Sequence, residues 1–315
     1  MGEAVAYLGP AGTFTEAALI KLGERGVFGP DWQAIPSSSP AAAIEAVDSR
    51  RAGFACVAIE NSVEGPVTST FDALARHEGV QIFAEVDVEI AFSIVVRRGT
   101  SLDEISTFAT HPVAMRQVEG WLARHLPGVE VTPTSSNSTA AHAVKQGLID
   151  AAAAPHRAAE LLGLDEIVRG VADVEGARTR FVAVGPAGPP PARTGHDRTS
   201  VTFLMPNFPG SLVEALTQFA ARGVDLTRIE SRPTREGLGT YRFYADLAGH
   251  IDDAPVREAL TALYRRAGHI QYLGSWPAEA RDFGDTYLDT LDEWNEAAQW
   301  VDSLRGPKHS IDEDE

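Results

Sequence analysis

The chain predicts a two-lobed α/β body followed by a small βαββαβ module, and three observations carry that expectation. Strand-like and helix-like stretches alternate from the first residues onward, a Pro- and Gly-rich run without periodicity lies at 186–198, and the order of elements changes beyond it. At 315 residues the chain is also too long for one ordinary core.

In the first lobe, residues 4–8 read as a short apolar strand ending at a Gly/Pro turn. Residues 15–22 read as a helix capped by Thr13 or Thr15, with Glu16 in its first turn, where a negative charge is favoured. A second helix is expected at 40–49, a buried strand of the parallel-sheet kind at 54–59, and a third helix from about Val67 towards His77. Residues 86–97 are apolar and β-rich without a turn signal, and read as a crossing into a second lobe. That lobe takes 107–110 and 151–154 as strands and 112–126, 138–146 and 158–162 as helices, and the chain returns through 174–184. Two lobes joined by crossings near 83–97 and 171–184 enclose a cleft, and such folds place ligands at strand C-terminal ends.

The linker, 186–198, separates this body (1–185) from a module at 199–277. Strands at 199–205, 225–231, 241–248 and 269–274 with helices at 210–221 and 254–266 give the ferredoxin-like order. In the last segment, 278–315, Tyr287, Leu291, Trp294, Ala298 and Val301 recur at helical spacing. Such a stripe is expected to pack on the module, the cleft body or a second subunit. Residues 306–315 are polar and acidic, a composition that does not fold alone.

Composition narrows the function classes. The net charge of −17 argues against nucleic acid as partner. Residues 281–315 hold eleven Asp/Glu against three Lys/Arg, so nearly half of that excess sits in the tail and an anionic ligand of the body is not excluded. No apolar run approaches the roughly 18 residues of a membrane span, and the N-terminus lacks a basic segment followed by an apolar one. Cys56, the sole cysteine, falls within an apolar strand and reads as a buried core residue. A cytosolic protein fits all of this. There is no metal-ligand signature, P-loop or dinucleotide fingerprint.

Six motifs remain: Gly9-Pro10-Ala11-Gly12-Thr13-Phe14; Glu60-Asn61-Ser62 with Gly65; Thr110-His111-Pro112; Thr179-Arg180-Phe181; Pro209-Gly210-Ser211-Leu212; and Glu230-Ser231-Arg232-Pro233. In this order they resemble the prephenate dehydratases, the first four their catalytic domain and the last two their regulatory ACT domain. The resemblance implies a catalytic domain similar in fold to periplasmic binding proteins, conversion of prephenate to phenylpyruvate with loss of water and CO2, no cofactor, and feedback by phenylalanine bound between ACT domains of a homodimer or homotetramer. Since the motifs begin within ten residues of Met1, a monofunctional enzyme is expected.

Under this resemblance Thr179 donates a hydrogen bond or proton to the leaving hydroxyl, with orientation mattering more than acidity. Arg180 either binds a substrate carboxylate bidentately or locks its strand through a salt bridge. Glu60 positions a substrate hydroxyl or pairs with an arginine, and Asn61 and Ser62 bond carboxylate oxygens. Thr13 and the amides around it, and Ser138 with Thr139, offer two helix N-termini for a dianion. His111 and Gln117 line the cleft, and Phe181 packs. Asn207, Pro209, Gly210, Ser211, Leu212, Glu230, Ser231, Arg232 and Pro233 form the phenylalanine site. Two departures stand out: many relatives have Asn where this chain has Ala177, and often Ala at Ser211. Arogenate dehydratase, or a non-catalytic sensor with the same two modules, are the alternatives.

Overall fold

The computed structural model describes residues 2–234, 240–279 and 286–304, and divides at Gly188/Pro189 into two compact units. The polar tail at 306–315 and the side chain of Tyr287 lie outside the described residues.

The first lobe is built from β1 (Ala4–Leu8), α1 (Phe14–Glu24), β2 (Gln33–Ser37), α2 (Pro40–Asp48), β3 (Phe54–Asn61), the two-residue β4 (Gly65–Pro66), α3 (Thr68–Arg76) and β5 (Val80–Glu89). The second holds β6 (Ser93–Val96), β7 (Thr107–Thr110), α4 (Pro112–His125), β8 (Glu130–Pro133), α5 (Asn137–Lys145), β9 (Ala151–Ala154), α6 (His156–Leu162) and β10 (Asp165–Arg169). β11 (Arg178–Pro186) then returns to the first lobe.

The first sheet runs β2-β1-β3-β11-β5, with β1 parallel to β2 and β3, and β11 antiparallel to β3 and β5. The second runs β10-β6-β9-β7-β8. Each buries its own apolar cluster. Val5, Tyr7, Leu19, Leu22 and Phe181 fill the first, while Ile94, Phe108, Val118, Trp121 and Ala177 fill one face of the second. Phe14 packs against both clusters and meets Phe92 edge-on at 5.5 Å. The two crossings are hydrogen-bonded to each other, Ile90 N–H to Ala177 O at 2.7 Å and Val171 N–H to Phe92 O at 3.1 Å.

Strands β2, β8 and β10 have no counterpart in the sequence expectation. All three are sheet edges, and their mostly exposed side chains carry little hydrophobic periodicity. Pro36 in β2 and Pro133 in β8 also speak against strand when read locally. Their membership rests on backbone pairing with an apolar neighbour. Cys56 is fully buried, and burial pushes its thiol pKa up.

The second unit contains β12 (Asp197–Leu204), α7 (Ser211–Ala220), β13 (Leu226–Pro233), β14 (Tyr241–Ala248), α8 (Ala254–Tyr264), β15 (His269–Pro277) and α9 (Thr286–Ser303). The sheet order β13-β14-β12-β15 is the ferredoxin-like one. Val201 and Phe203 pack with Phe219, Val256 and Leu263 from α7 and α8. β12 begins at Asp197, two residues before the expected start, because buried Asp197 collects the Thr194 and Gly195 N–H groups at 2.8 and 2.9 Å. In α9, Leu291 packs beside Ala248 and Ala278, whereas Ala298 and Val301 are exposed in this unit, so the stripe is covered only at its start.

Candidate active site

A cavity of about 440 Å³ lies between the two lobes of the first unit. Its chemistry begins with a slip in one ladder. Thr179 pairs with Asn61 and Arg180 with Glu60, but Phe181 pairs with Ala58. The bulge at Ile59 lets Asn61 and Ala58 both face the cavity beside Thr179 and Phe181. Strand alternation turns Arg180 to the opposite face. There it is buried between Glu60 at 2.5 Å and Glu85 at 3.4 Å.

Asn61 Oδ1 accepts from the backbone N–H groups of Val63 and Glu64, both at 2.9 Å. Its Nδ2 therefore donates to Thr179 Oγ1 at 2.7 Å. Thr179 is thus the acceptor in that bond, and its own proton is directed elsewhere. Buried Ala177 packs in the second lobe's core, so the amide beside the threonine comes from Asn61.

The facing wall comes from α4. His111 is its N-cap, with Nδ1 accepting from Val113 N–H at 3.3 Å, which leaves Nε2 to carry the proton of the neutral ring. Burial, and then the nearby Arg116 charge, hold its pKa below the ordinary histidine value. Gln117, one and a half turns on, is fully buried and lines the cavity, and neither carboxamide atom has a hydrogen-bond partner among the described residues. A fully buried amide aimed into a cavity and left unsatisfied calls for a ligand or water.

At α3, the cap residue Val67 offers no side-chain oxygen, and Thr70 and Phe71 N–H turn back to Val67 O. The amides of Thr68 and Ser69 meet no protein acceptor among the described residues, and both residues line the cavity. Glu64 is the one acidic side chain of the lining, and Arg116 holds it with Nε on Oε1 at 2.7 Å and a second nitrogen on Oε2.

Several expected ligand contacts fall elsewhere. Thr13 caps α1, accepting from Glu16 N–H at 3.2 Å and donating to Leu8 O, and Thr15 lines the cavity instead. The Glu16 carboxylate already takes Gly12 N–H at 2.8 Å and Arg157 Nε at 2.9 Å, so this helix start supplies its own anion. Gly12, at φ 86°, is required by close approach: a Cβ there would lie 3.1 Å from Ala158 of the second lobe. Ser62 Oγ accepts from Arg178 N–H at 2.9 Å. The cap of α5 is Ser136, not Ser138 or Thr139: Ser138 donates to Ala11 O, Thr139 bonds Ser136, and it is Asn137 that reaches the cavity. Asn137 Oδ1 also accepts from His111 N–H at 2.9 Å. Its position inside a run of serines and threonines gave it no distinguishing signal.

In the second unit, Gly210 caps α7 at φ 91°, with Asn207, Pro209 and Gly210 exposed and Ser211 and Leu212 half-buried. Glu230, Ser231, Arg232 and Pro233 end β13, an edge strand, with Ser231 and Pro233 exposed.

Comparison with known proteins agrees with this architecture. Residues 5–188 match the family model described as prephenate dehydratase, and 199–263 match that of the ACT domain. The prephenate dehydratase of Corynebacterium glutamicum is 55% identical over 298 residues, covering 94% of this chain and 95% of that protein. A prephenate dehydratase from Arthrobacter aurescens, solved in complex with L-Phe, superposes with a TM-score of 0.85 at 37% identity, over 96% of this chain and 100% of that one. A quorum-quenching acylase, GqqA, superposes with a TM-score of 0.76 at 30% identity, over 88% and 98% of the two chains.

Proposed function

The chain belongs to the prephenate dehydratase family and carries an ACT domain, and from that premise we propose that it converts prephenate to phenylpyruvate, water and CO2 under feedback by L-phenylalanine. In this reaction the ring carboxylate leaves as CO2, and the electron pair of the broken carbon–carbon bond completes the aromatic ring. The ring in turn expels the hydroxyl opposite. Thr179 gives that oxygen its proton, and solvent returns one to the threonine.

The observation that carries this reading is the Asn61–Thr179 bond: the amide occupies the threonine's acceptor side and leaves its proton for a ligand in the cavity. His111 Nε2–H and the Gln117 carboxamide act as neutral donors, and the open amides of Thr68 and Ser69 take a carboxylate. Arg180 is a positioning residue that ties β11 to Glu60 and Glu85. The apolar wall of Phe14, Ile90, Phe92 and Phe181 accommodates the ring. No described helix is long and apolar enough to cross a membrane, and we read the enzyme as cytosolic.

For regulation, phenylalanine binds through the Gly210 and Glu230 segments, and the exposure of both fits a site completed by a second copy of the chain. We read 1–185 as catalytic, 199–277 as regulatory, and 278–315 as an added helix and tail. Phenylpyruvate formation by the purified chain, with Thr179→Ala beside it and phenylalanine titrated in, tests both halves. Turnover of arogenate in preference to prephenate would reassign the substrate. Calorimetry without phenylalanine binding would remove the effector.

A further inference from the structure

Glu64 lies in the loop on the first lobe's side of the cavity, and Arg116 on α4 of the second lobe. Their bidentate pair fixes orientation as well as distance, which a single ammonium contact does not. The backbone of the same glutamate does separate work: its N–H, with that of Val63, holds Asn61 Oδ1. Those two bonds choose the face that the carboxamide turns to Thr179. With them in place, Nδ2 meets the threonine and the hydroxyl proton is free for the cavity. Were the loop to relax and the amide to turn over, Oδ1 would accept that proton and silence the donor.

Resting on the reading of Thr179 as proton donor, we propose that Arg116 is a positioning residue for the reaction. By gripping Glu64 across the cleft it holds the loop at 62–65, the loop holds Asn61, and Asn61 aims Thr179. The donor is therefore aimed when the lobes are together and loses its aim when they part. Arg116 is not itself among the residues lining the cavity, so its action on the substrate runs through this relay.

The test compares wild type, Arg116→Ala, Arg116→Lys and the exchanged pair Glu64→Arg/Arg116→Glu in full-length protein. It reads kcat and KM for prephenate together with hydrogen exchange at the Val63 and Glu64 amides. Arg116→Ala is expected to lower kcat about tenfold with KM within about twofold, and to speed exchange at both amides about tenfold. Lysine regains little, because it makes one contact where arginine makes two, and the exchanged pair regains most of the loss. An unchanged kcat with unchanged exchange overturns the proposal. So does a raised KM with kcat retained, which would make Arg116 a direct carboxylate ligand. Should the wild type yield no phenylpyruvate, the dehydratase reading fails, while exchange at the two amides still decides whether Arg116 holds the loop.

Discussion

Helices α1 and α3 begin beside the same cavity, and they treat their first amides in opposite ways. At α1, Thr13 caps Glu16 N–H, and the Glu16 carboxylate returns to Gly12 N–H, so the positive end of the helix is already neutralised. At α3, the cap is Val67, whose side chain offers no acceptor, and Thr68 and Ser69 of the first turn line the cavity. A well-capped helix start is a structural device, and a poorly capped one that shares its cavity with a buried unsatisfied glutamine is where the proposed substrate is expected to complete the protein's own bonding. The chemistry is accordingly expected at the α3 end, with Thr179 and Asn61, and stability at the α1 end.

The largest effect should come from Thr179→Ala, which removes the donor and is expected to lower kcat about a thousandfold while leaving the melting temperature near that of wild type. Steady-state kinetics beside thermal melts check this, and retained turnover would break the assignment of the α3 end. Next, Thr68→Pro deletes one open amide at a position where helices favour proline. It should raise KM for prephenate roughly fivefold with little change in kcat, and an unchanged KM would mean that the open amides hold only water.

The pH profile sharpens the role of the facing wall. Burial and the Arg116 charge depress the His111 pKa, so between the depressed and the ordinary value of about 6.5 the folded protein binds fewer protons here than the unfolded chain. The histidine's contribution to stability is then full above the ordinary value and lost as pH falls through the depressed one. The neutral Nε2 donor should likewise persist below the usual histidine range, and NMR titration of the ring in wild type and Arg116→Ala should show the pKa rise in the variant. The smallest effect is expected at α1: Thr13→Ala should cost about 1 kcal/mol of stability, measured by denaturant melts, with kcat unchanged. A loss of turnover there would dissolve the contrast between the two helix starts.

Much of this was legible in the sequence because it depends on local pattern. The alternation of apolar strands and capped helices delimits both lobes, and Thr179 stands where the return crossing meets the first sheet. Side-chain direction was less accessible. The face on which Asn61 sits depends on a one-residue bulge at Ile59 against a strand more than a hundred residues away, and no local rule reports it. The same register sets Arg180 beside Glu60 and Glu85, a direction that no local rule reports either. At α5 the run Ser135-Ser136-Asn137-Ser138-Thr139 contains several residues able to cap, and only the realised hydrogen bonds single out Ser136 for the helix and Asn137 for the cavity.

The hydrogen bond between the two crossings, Ile90 to Ala177, lies two residues from Thr179. If the lobes swing apart about that bonded pair, displacement grows with distance from it, as along a lever arm. The threonine, close to the fulcrum and flanked by β3 and β5, would hardly travel, while α4 and its Arg116 would move with the second lobe. An arriving substrate would then meet a hydroxyl already in place, and the return of α4 would restore the Arg116 grip on Glu64 behind it.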